Sequence, residues 1–203
     1  MSIMAVEIRE RIYHDRKHPY LSQSYNNLSI IYVRKKQLKK ALKWQLKAYF
    51  GRLESKNPDS LDMAQSYHNL SVIYCQACKL EKANFYSEKA IEIRLDKLNP
   101  LSSDIAVSYD NVSIIRKKEE QYADALSYQN KAIEIRTSPG YARQLPLAKS
   151  YQNLAEILFL LNNLEEALVA IDSALLIKEN LSFRLPDFER ECKILREKIT
   201  AKT

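Results

Sequence analysis

The chain has 203 residues, a formal net charge of +7 at pH 7 and 46% hydrophobic residues, which is enough for a continuous core. No apolar run approaches the length of a membrane span, and Met1–Val6 is followed at once by Glu7, so we expect neither a signal peptide nor a membrane segment. Three cysteines, an odd count, agree with a reducing compartment, and we expect a cytoplasmic protein.

A short phrase, Ser-Tyr-x-Asn, occurs four times along the chain and sets its organisation. Its tyrosines are Tyr25, Tyr67, Tyr109 and Tyr151, which follow one another at intervals of 42 residues. A constant period of this length indicates a stack of supersecondary units in which each unit contacts its neighbours. We therefore predict an all-α tandem array with no sheet.

Each unit reads as two antiparallel amphipathic helices. The first helices are predicted at roughly 20–34, 61–76, 102–118 and 144–160, and the second at roughly 38–55, 80–97, 122–136 and 164–179. Apolar residues recur in the first helices at Leu28, Leu70, Val112 and Leu154, and small residues recur in the second at Ala41, Ala83, Ala125 and Ala167. Small residues at fixed positions let a neighbouring helix approach closely.

The two ends of the chain differ. Residues 1–18 resemble the second half of a second helix, because Ala5-Val6-Glu7-Ile8-Arg9 matches Ala90-Ile91-Glu92-Ile93-Arg94, whereas residues 187–203 predict a capping helix. We predict a single array made of 1–18, four repeats at 19–60, 61–102, 103–144 and 145–186, and the cap at 187–203. An apolar edge left uncovered at the amino end would suit homodimerisation through residues 1–34.

The repeated pattern Asn-Leu-Ser-x-Ile, followed by Leu-x-x-Ala and Ala-Ile-Glu-Ile-Arg, resembles the tetratricopeptide repeat. The 42-residue period is similar to the longer form found in kinesin light chains. The resemblance covers about residues 5–180, and it implies a right-handed α-solenoid, the TPR superhelix, whose first helices line a concave groove. A position that is often Gly in the family is Ser29, Ser71, Ser113 and Ala155 here.

The resemblance also implies where a partner would bind. The recurring asparagines Asn27, Asn69, Asn111 and Asn153 are expected to point into the groove and to hold a peptide, since an amide offers both donors and an acceptor. Helical spacing adds Gln23, Gln65, Arg34, Gln76, Lys118 and Lys149 on the same face, and the cations among them would favour acidic residues in a partner. The alternative is that the asparagines bond to the adjacent repeat and fix the stacking.

An enzyme is not indicated. The pair Cys75 and Cys78 has the spacing of redox or zinc sites, but the second ligand pair is missing, and two small helix residues are the better interpretation. The histidines are scattered, so we expect no metal, no cofactor and no catalytic residue.

Two further functions remain open in the sequence. Lysines crowd one turn and helix at Lys35, Lys36, Lys39, Lys40, Lys43 and Lys47, where they could contact phosphate, but acidic residues elsewhere and the lack of a nucleic-acid motif disfavour nucleic acid. An architectural segment of a larger scaffold or sensor is the other alternative. A non-enzymatic module that binds a peptide or helix of a partner is the main prediction.

Overall fold

The computed structural model describes residues 6, 8, 10–11, 19–54, 60–140, 144–181 and 185–202. The chain divides into two compact units, Met1–Leu98 and Asn99–Thr203. Within the described ranges the regular structure is helical throughout, and the helix ends lie within two residues of the predicted ones. The all-α fold is thus confirmed.

The first unit contains two helical hairpins. Helices α1 (Pro19–Arg34) and α2 (Leu38–Leu53) form the first hairpin, and α3 (Leu61–Gln76) and α4 (Leu80–Lys97) form the second. The second hairpin stacks on the first, with α3 in contact with both α1 and α2. Ser60 starts α3, and its Oγ accepts a hydrogen bond from the Met63 N–H at 3.2 Å, which satisfies one of the free donors of the first turn.

The second unit contains two more hairpins and a final helix. Helices α5 (Ser103–Lys118) and α6 (Tyr122–Thr137) precede α7 (Gln144–Leu160), α8 (Leu164–Glu179) and α9 (Pro186–Thr200). Helix α9 packs on α7 and α8 through Phe188, Cys192 and Ile199, which are buried. These three side chains lie in the same core cluster as Ala170 and Ile171 of α8, so α9 covers the apolar face of the last hairpin.

Alanines and serines allow the two helices of a hairpin to pack closely. The recurring alanines of the second helices, Ala41, Ala83, Ala125 and Ala167, are fully buried. In three hairpins the first helix bonds across to the carbonyl of this alanine: the donors Ser29, Ser71 and Ser113 lie 2.9, 2.8 and 2.8 Å from the acceptors. Ala155 lacks the hydroxyl, so the fourth hairpin packs without this bond.

All four turns inside the hairpins have the same backbone. Their left-handed residues are Lys36, Cys78, Glu120 and Asn162, with φ of 57°, 54°, 61° and 63°. The N–H of the next residue donates to a carbonyl five residues earlier, as from Gln37 to Tyr32 at 2.9 Å. This is the Schellman arrangement, which ends a helix by satisfying its last carbonyls. Cys78 therefore lies in a turn and not in a helix, which corrects the prediction of two helix cysteines.

At the amino end, a residue ahead of α1 packs on the first hairpin. Val6 is buried against Leu21, Tyr25 and Leu28 of α1. The Tyr25 hydroxyl also donates to a carboxylate oxygen of Glu10 at 2.6 Å, which ties the residues before α1 to the first hairpin. Homodimerisation through residues 1–34 stays a prediction, and much of this region lies outside the described residues.

Candidate functional site

The residues predicted to bind a partner lie on the first helices of the four hairpins, and in each of these helices we call the side that carries them the amide face. Their exposure is uneven. Gln23, Arg34, Gln76, Lys118 and Lys149 are exposed, whereas Asn27, Gln65, Asn69 and Asn153 are half-buried and Asn111 is buried. The four asparagines therefore do not form a uniform set of accessible amides.

In the first unit the amide face is internally hydrogen-bonded. Gln65 Nε2 donates to Asn69 Oδ1 at 3.1 Å, and Asn69 Nδ2 donates to Asn26 Oδ1 of the adjacent hairpin at 2.6 Å. Asn69 thus uses both of its polar atoms within the protein. For this residue the stacking role, which the sequence left as an alternative, describes the structure, and the expectation of a free amide is wrong.

Asn27 and Asn153 differ from Asn69 in their hydrogen bonds. Asn27 Oδ1 accepts from Gln23 Nε2 at 3.3 Å in an exposed contact, and this bond does not use the amide donors of Asn27. Asn153 makes no hydrogen bond with the residues that the structure describes. These two amides are the members of the set best placed to contact a partner, whereas Asn111 is only 6% exposed.

Buried arginines near the ends of the second helices hold neighbouring helices together. Arg52 of α2 donates from Nη1 to Ser66 Oγ at 2.7 Å and from Nη2 to Gln23 Oε1 at 3.0 Å, which links α2 to α1 and α3. Arg94 of α4 donates to Gln65 Oε1 at 3.0 Å. Burial lowers the pKa of Arg52, and the nearby Asp62 carboxylate acts against this shift. Hydrogen bonds to a charged donor stabilise more than neutral ones.

The second unit uses an ion pair at the corresponding position. Arg136 of α6 lies 2.6 Å from Asp110 Oδ2 of α5 and also bonds to Ser150 of α7. Asp110 accepts further hydrogen bonds from Gln129 Nε2 at 2.9 Å and Ser150 Oγ at 3.0 Å. The carboxylate therefore sits at the centre of a network that joins α5, α6 and α7. The sequence signal for Arg94 and Arg136 is the recurring Ile-Glu-Ile-Arg, which identifies the repeat but does not by itself reveal these contacts.

The position before the recurring asparagine is chemically variable. It is Asn26 in α1, His68 in α3 and Asp110 in α5. The Nδ1 atom of His68 is buried and makes no hydrogen bond with the described residues. Burial, and secondarily the positive charge of Arg94, lowers the pKa of His68 to about 3, so this imidazole is neutral at physiological pH.

A groove in the second unit lies between α5, α7 and α9. It has a volume of about 460 Å³ and is lined by Lys117, Gln152, Glu156, Phe159, Leu160, Glu191, Ile194, Leu195 and Lys198. Leu160 and Ile194 are 46% and 45% exposed, so an apolar floor is accessible from solvent. Lys117 and Glu156 form an ion pair on one side of the groove.

Helical spacing alone places Glu156 and Leu160 on the same face of α7 as Asn153, and Gln152 lies beside Asn153 in the chain. It misses the contribution of α9, whose Ile194 and Leu195 also line the groove. The signal is present, because Ile194 is an apolar residue on the polar side of an amphipathic helix that buries Phe188 and Cys192. A cap is expected to be polar outside, and this one is not uniformly so.

The described residues offer little for metal or redox chemistry. Within those ranges, no group of three His, Cys, Asp or Glu side chains could hold a metal ion. Cys75 is buried and Cys78 is exposed, and neither forms a disulfide within the described residues. Burial and the charges of Glu191 and Glu156 raise the pKa of Cys192 to about 12, so its thiol is unreactive. None of the helices that the structure describes is long and apolar enough to span a bilayer.

Stacked two-helix hairpins with a covering end helix define a helical-repeat protein. The tetratricopeptide repeat family model matches residues 22–49 in the first unit and 148–181 in the second, so these two segments have the tetratricopeptide repeat pattern. A search of curated protein sequences finds no match.

Several solved structures are similar to this chain in fold. BtubC (BKLC) from P. vanneervenii is 22% identical with a TM-score of 0.79, over 97% of this chain and 79% of that one. Apo RapI is 18% identical with a TM-score of 0.73, over 89% and 63% of the two chains. The nearly identical TPR-like repeats of a putative kinesin light chain from Podosopora anserina are 16% identical with a TM-score of 0.69, over 91% and 96%. At these identities the likeness concerns the fold.

Proposed function

We propose that the chain is a protein-interaction module that binds an apolar-anchored peptide or helix of a partner along the groove between α5, α7 and α9. Its repeats, which are similar to those of a putative kinesin light chain, belong to a fold that generally mediates protein–protein interaction. The observation that carries the proposal is the accessible apolar floor formed by Leu160 and Ile194 beside polar walls. Accessible apolar surface rimmed by polar groups is typical of binding grooves.

The polar groups around the groove suit a peptide. Asn153 lies on α7 next to Gln152 of the groove wall, and its amide makes no hydrogen bond with the described residues, so it can bond to a peptide backbone. Lys198 of α9 lines the groove without an ion-pair partner in the described part of the chain, and Lys149 is exposed one turn before Asn153. These two cations would favour an acidic residue near the apolar anchor of the partner.

The proposal is tested by selecting peptides of 16 residues from a random display library on the whole chain. The selected peptides are then measured by fluorescence anisotropy against the double variant Leu160→Gln, Ile194→Gln. We expect at least a tenfold loss of affinity, because two apolar contacts of about 1 kcal/mol each disappear. Glutamine keeps the helices, since its helix propensity is close to that of leucine.

A matched control exists on α8 of the same unit. Val169 and Leu176 are 69% and 61% exposed, and the double variant Val169→Gln, Leu176→Gln removes the same kind of surface elsewhere. It should leave the affinity unchanged. Equal losses in the two variants would contradict the groove. Peptides that depend instead on Asn27 would move the site to the first unit, and failure to select any peptide would favour the architectural alternative.

A further inference from the structure

The first hairpin carries a row of cations that the fold does not neutralise. We call Arg34, Lys35, Lys36, Lys39, Lys40, Lys43 and Lys47 the basic row, and all seven side chains are exposed. Within the described ranges, the first six form no ion pair with an acidic side chain. Among the other described residues, some exposed cations have acidic neighbours, as Lys89 does with Glu92 at 3.1 Å, and those that have none, such as Lys198, are not gathered in such a run. The basic row is therefore a largely unpaired positive surface.

The position of these lysines destabilises the isolated helix. Helices α4, α6 and α8 carry acidic residues in their first turn, at Glu81, Asp124 and Glu165–Glu166, whereas α2 carries none there and has Lys39 and Lys40 instead. Cations at a helix start oppose the helix dipole by about 0.3–1 kcal/mol each, and like charges spaced four residues apart repel. No acidic side chain of the described residues pairs with Lys39 or Lys40 to offset this cost.

One member of the row already binds a carboxylate. Lys47 Nζ lies 3.1 Å from Glu10 Oε1, so an acidic side chain on a neighbouring segment sits at one end of the row. Lys39, Lys43 and Lys47 follow one another at intervals of four residues and share one side of α2. Lys47 lies eight positions after Lys39, which is about 12 Å along the helix and matches about four residues of extended peptide.

The structure assigns the basic row to an acidic segment of a partner protein, on a surface separate from the groove of the second unit. Nucleic acid fits less well, because the aromatic rings next to the row are covered: Lys40 Nζ lies 5.6 Å from the Tyr32 ring centroid and Lys47 Nζ 4.8 Å from that of Trp44. Bases could stack on neither of these two rings, and the strongly exposed ring of α2, that of Phe50, is a single ring and not the series that successive bases need. The row also contains one arginine, the residue preferred for bidentate phosphate contacts.

An anionic membrane is disfavoured by what the row lacks. Surface-bound helices combine a basic face with apolar side chains that enter the lipid. Trp44 is half-buried under Lys47, and the large apolar side chains exposed on α2 are Phe50 and Leu53, at 53% and 42%. Two such side chains beyond the lysines fall short of the continuous apolar face of a lipid-binding helix. Charge complementarity with aspartate and glutamate side chains is the interaction that this surface can make.

The test measures binding of a fluorescent ten-residue oligoglutamate to the whole chain at 150 mM salt by anisotropy. We expect saturable binding that weakens as salt rises and that falls at least tenfold in the triple variant Lys39→Glu, Lys40→Glu, Lys43→Glu. The control Lys89→Glu, Lys97→Glu, Lys193→Glu changes the net charge by the same amount, from +7 to +1 because 7 − 6 = 1, and should lose less than twofold. Charges beyond about 8 Å are screened at this salt.

Each other outcome overturns the assignment. Equal losses in the two triple variants would show a general charge effect. Absence of oligoglutamate binding would show that the basic row does not bind an acidic segment. Tighter binding of a single-stranded 12-mer DNA, or of vesicles containing phosphatidylserine, through the same three lysines would show that the row binds nucleic acid or membrane and not an acidic protein segment. The variant Lys39→Gln, Lys40→Gln, Lys43→Gln, checked by circular dichroism, separates charge loss from unfolding. The groove variant Leu160→Gln, Ile194→Gln should bind oligoglutamate normally, so the two proposals fail independently.

Discussion

The two units place an arginine at the same point of a hairpin and give it different acceptors. In the first unit Arg52 bonds to the neutral side chains Gln23 and Ser66. In the second unit Arg136 faces the carboxylate of Asp110 at 2.6 Å. The arginine is buried in both cases, so the helices are joined in the same way, but the electrostatic consequences differ. Arg52 has only a long ion pair, 3.9 Å to the exposed carboxylate of Asp62, so its buried charge depends mainly on neutral dipoles. A close buried pair such as Arg136–Asp110 instead destabilises the fold once one partner is lost.

The largest effect is expected at Arg136. Replacing Arg136 by Met should lower the free energy of unfolding by about 3–5 kcal/mol, because Asp110 then keeps its charge in a confined site without a cation. The matched change Arg52→Met should cost about 1–2 kcal/mol, since Gln23 is exposed and can bond to water. Urea unfolding followed by circular dichroism measures both.

The double variant Arg136→Met, Asp110→Asn sharpens this comparison. It removes the unpaired charge and should recover part of the loss. Equal costs for Arg136→Met and Arg52→Met, with no recovery in the double variant, would mean that the charged acceptor makes no difference to this joint.

A smaller and pH-dependent effect is expected at His68, the residue of the first unit that corresponds to Asp110 of the second. The unfolded chain binds a proton at His68 near pH 6.5, whereas the folded chain does so only near pH 3. Above pH 6.5 His68 is neutral in both states, so the folded chain keeps its full stability. As the pH falls below 6.5 the unfolded chain takes up a proton that the folded chain does not, and the free energy of unfolding decreases. The loss between pH 7 and pH 5 should be on the order of 1 kcal/mol, after allowing for partial exposure.

The variant His68→Asn carries the residue found at the equivalent Asn26 and supplies the control. Its unfolding midpoint in urea should change less than that of the natural chain between pH 7 and pH 5. Parallel curves for the two proteins would show that His68 takes up its proton equally in the folded and unfolded chains.

A difference of similar size separates two asparagines of the amide face. Asn69→Ala removes the hydrogen bonds to Asn26 and Gln65 and should cost about 1–2 kcal/mol. Asn27→Ala removes one exposed contact and should cost less than about 0.5 kcal/mol. Thermal unfolding of the two variants measures the difference. Similar melting temperatures would show that the hydrogen bonds of Asn69 do not stabilise the stacking of the hairpins.

The hydrophobic periodicity predicted the helices well because it depends on contacts between residues of the same hairpin. Leu70 and Ile73 fall three residues apart on one face of α3 and are buried, and the turn at Lys35-Lys36-Gln37 ends α1 where the sequence suggested. These features depend on neighbours within one hairpin, and the same spacing in each repeat identifies them.

The fate of individual polar groups could not be predicted in the same way. Asn69 and Asn153 occupy the same repeat position, yet one bonds to Asn26 and the other makes no hydrogen bond with the described residues. The difference depends on which side chain the adjacent hairpin presents, and the repeat varies at that point. Similarly, Ile194 joins the groove only because α9 packs on α7, a contact that helical periodicity does not reveal.

The left-handed turns have a consequence for how the repeats can vary. A lysine, a cysteine, a glutamate and an asparagine adopt nearly the same φ, between 54° and 63°, although glycine would take this conformation with less strain. The angle at which each hairpin folds back is thus kept by main-chain geometry and tolerates unrelated side chains. The residues at the loop tips can therefore vary. Because each of the four adopts a strained φ, replacing it by glycine would relieve that strain.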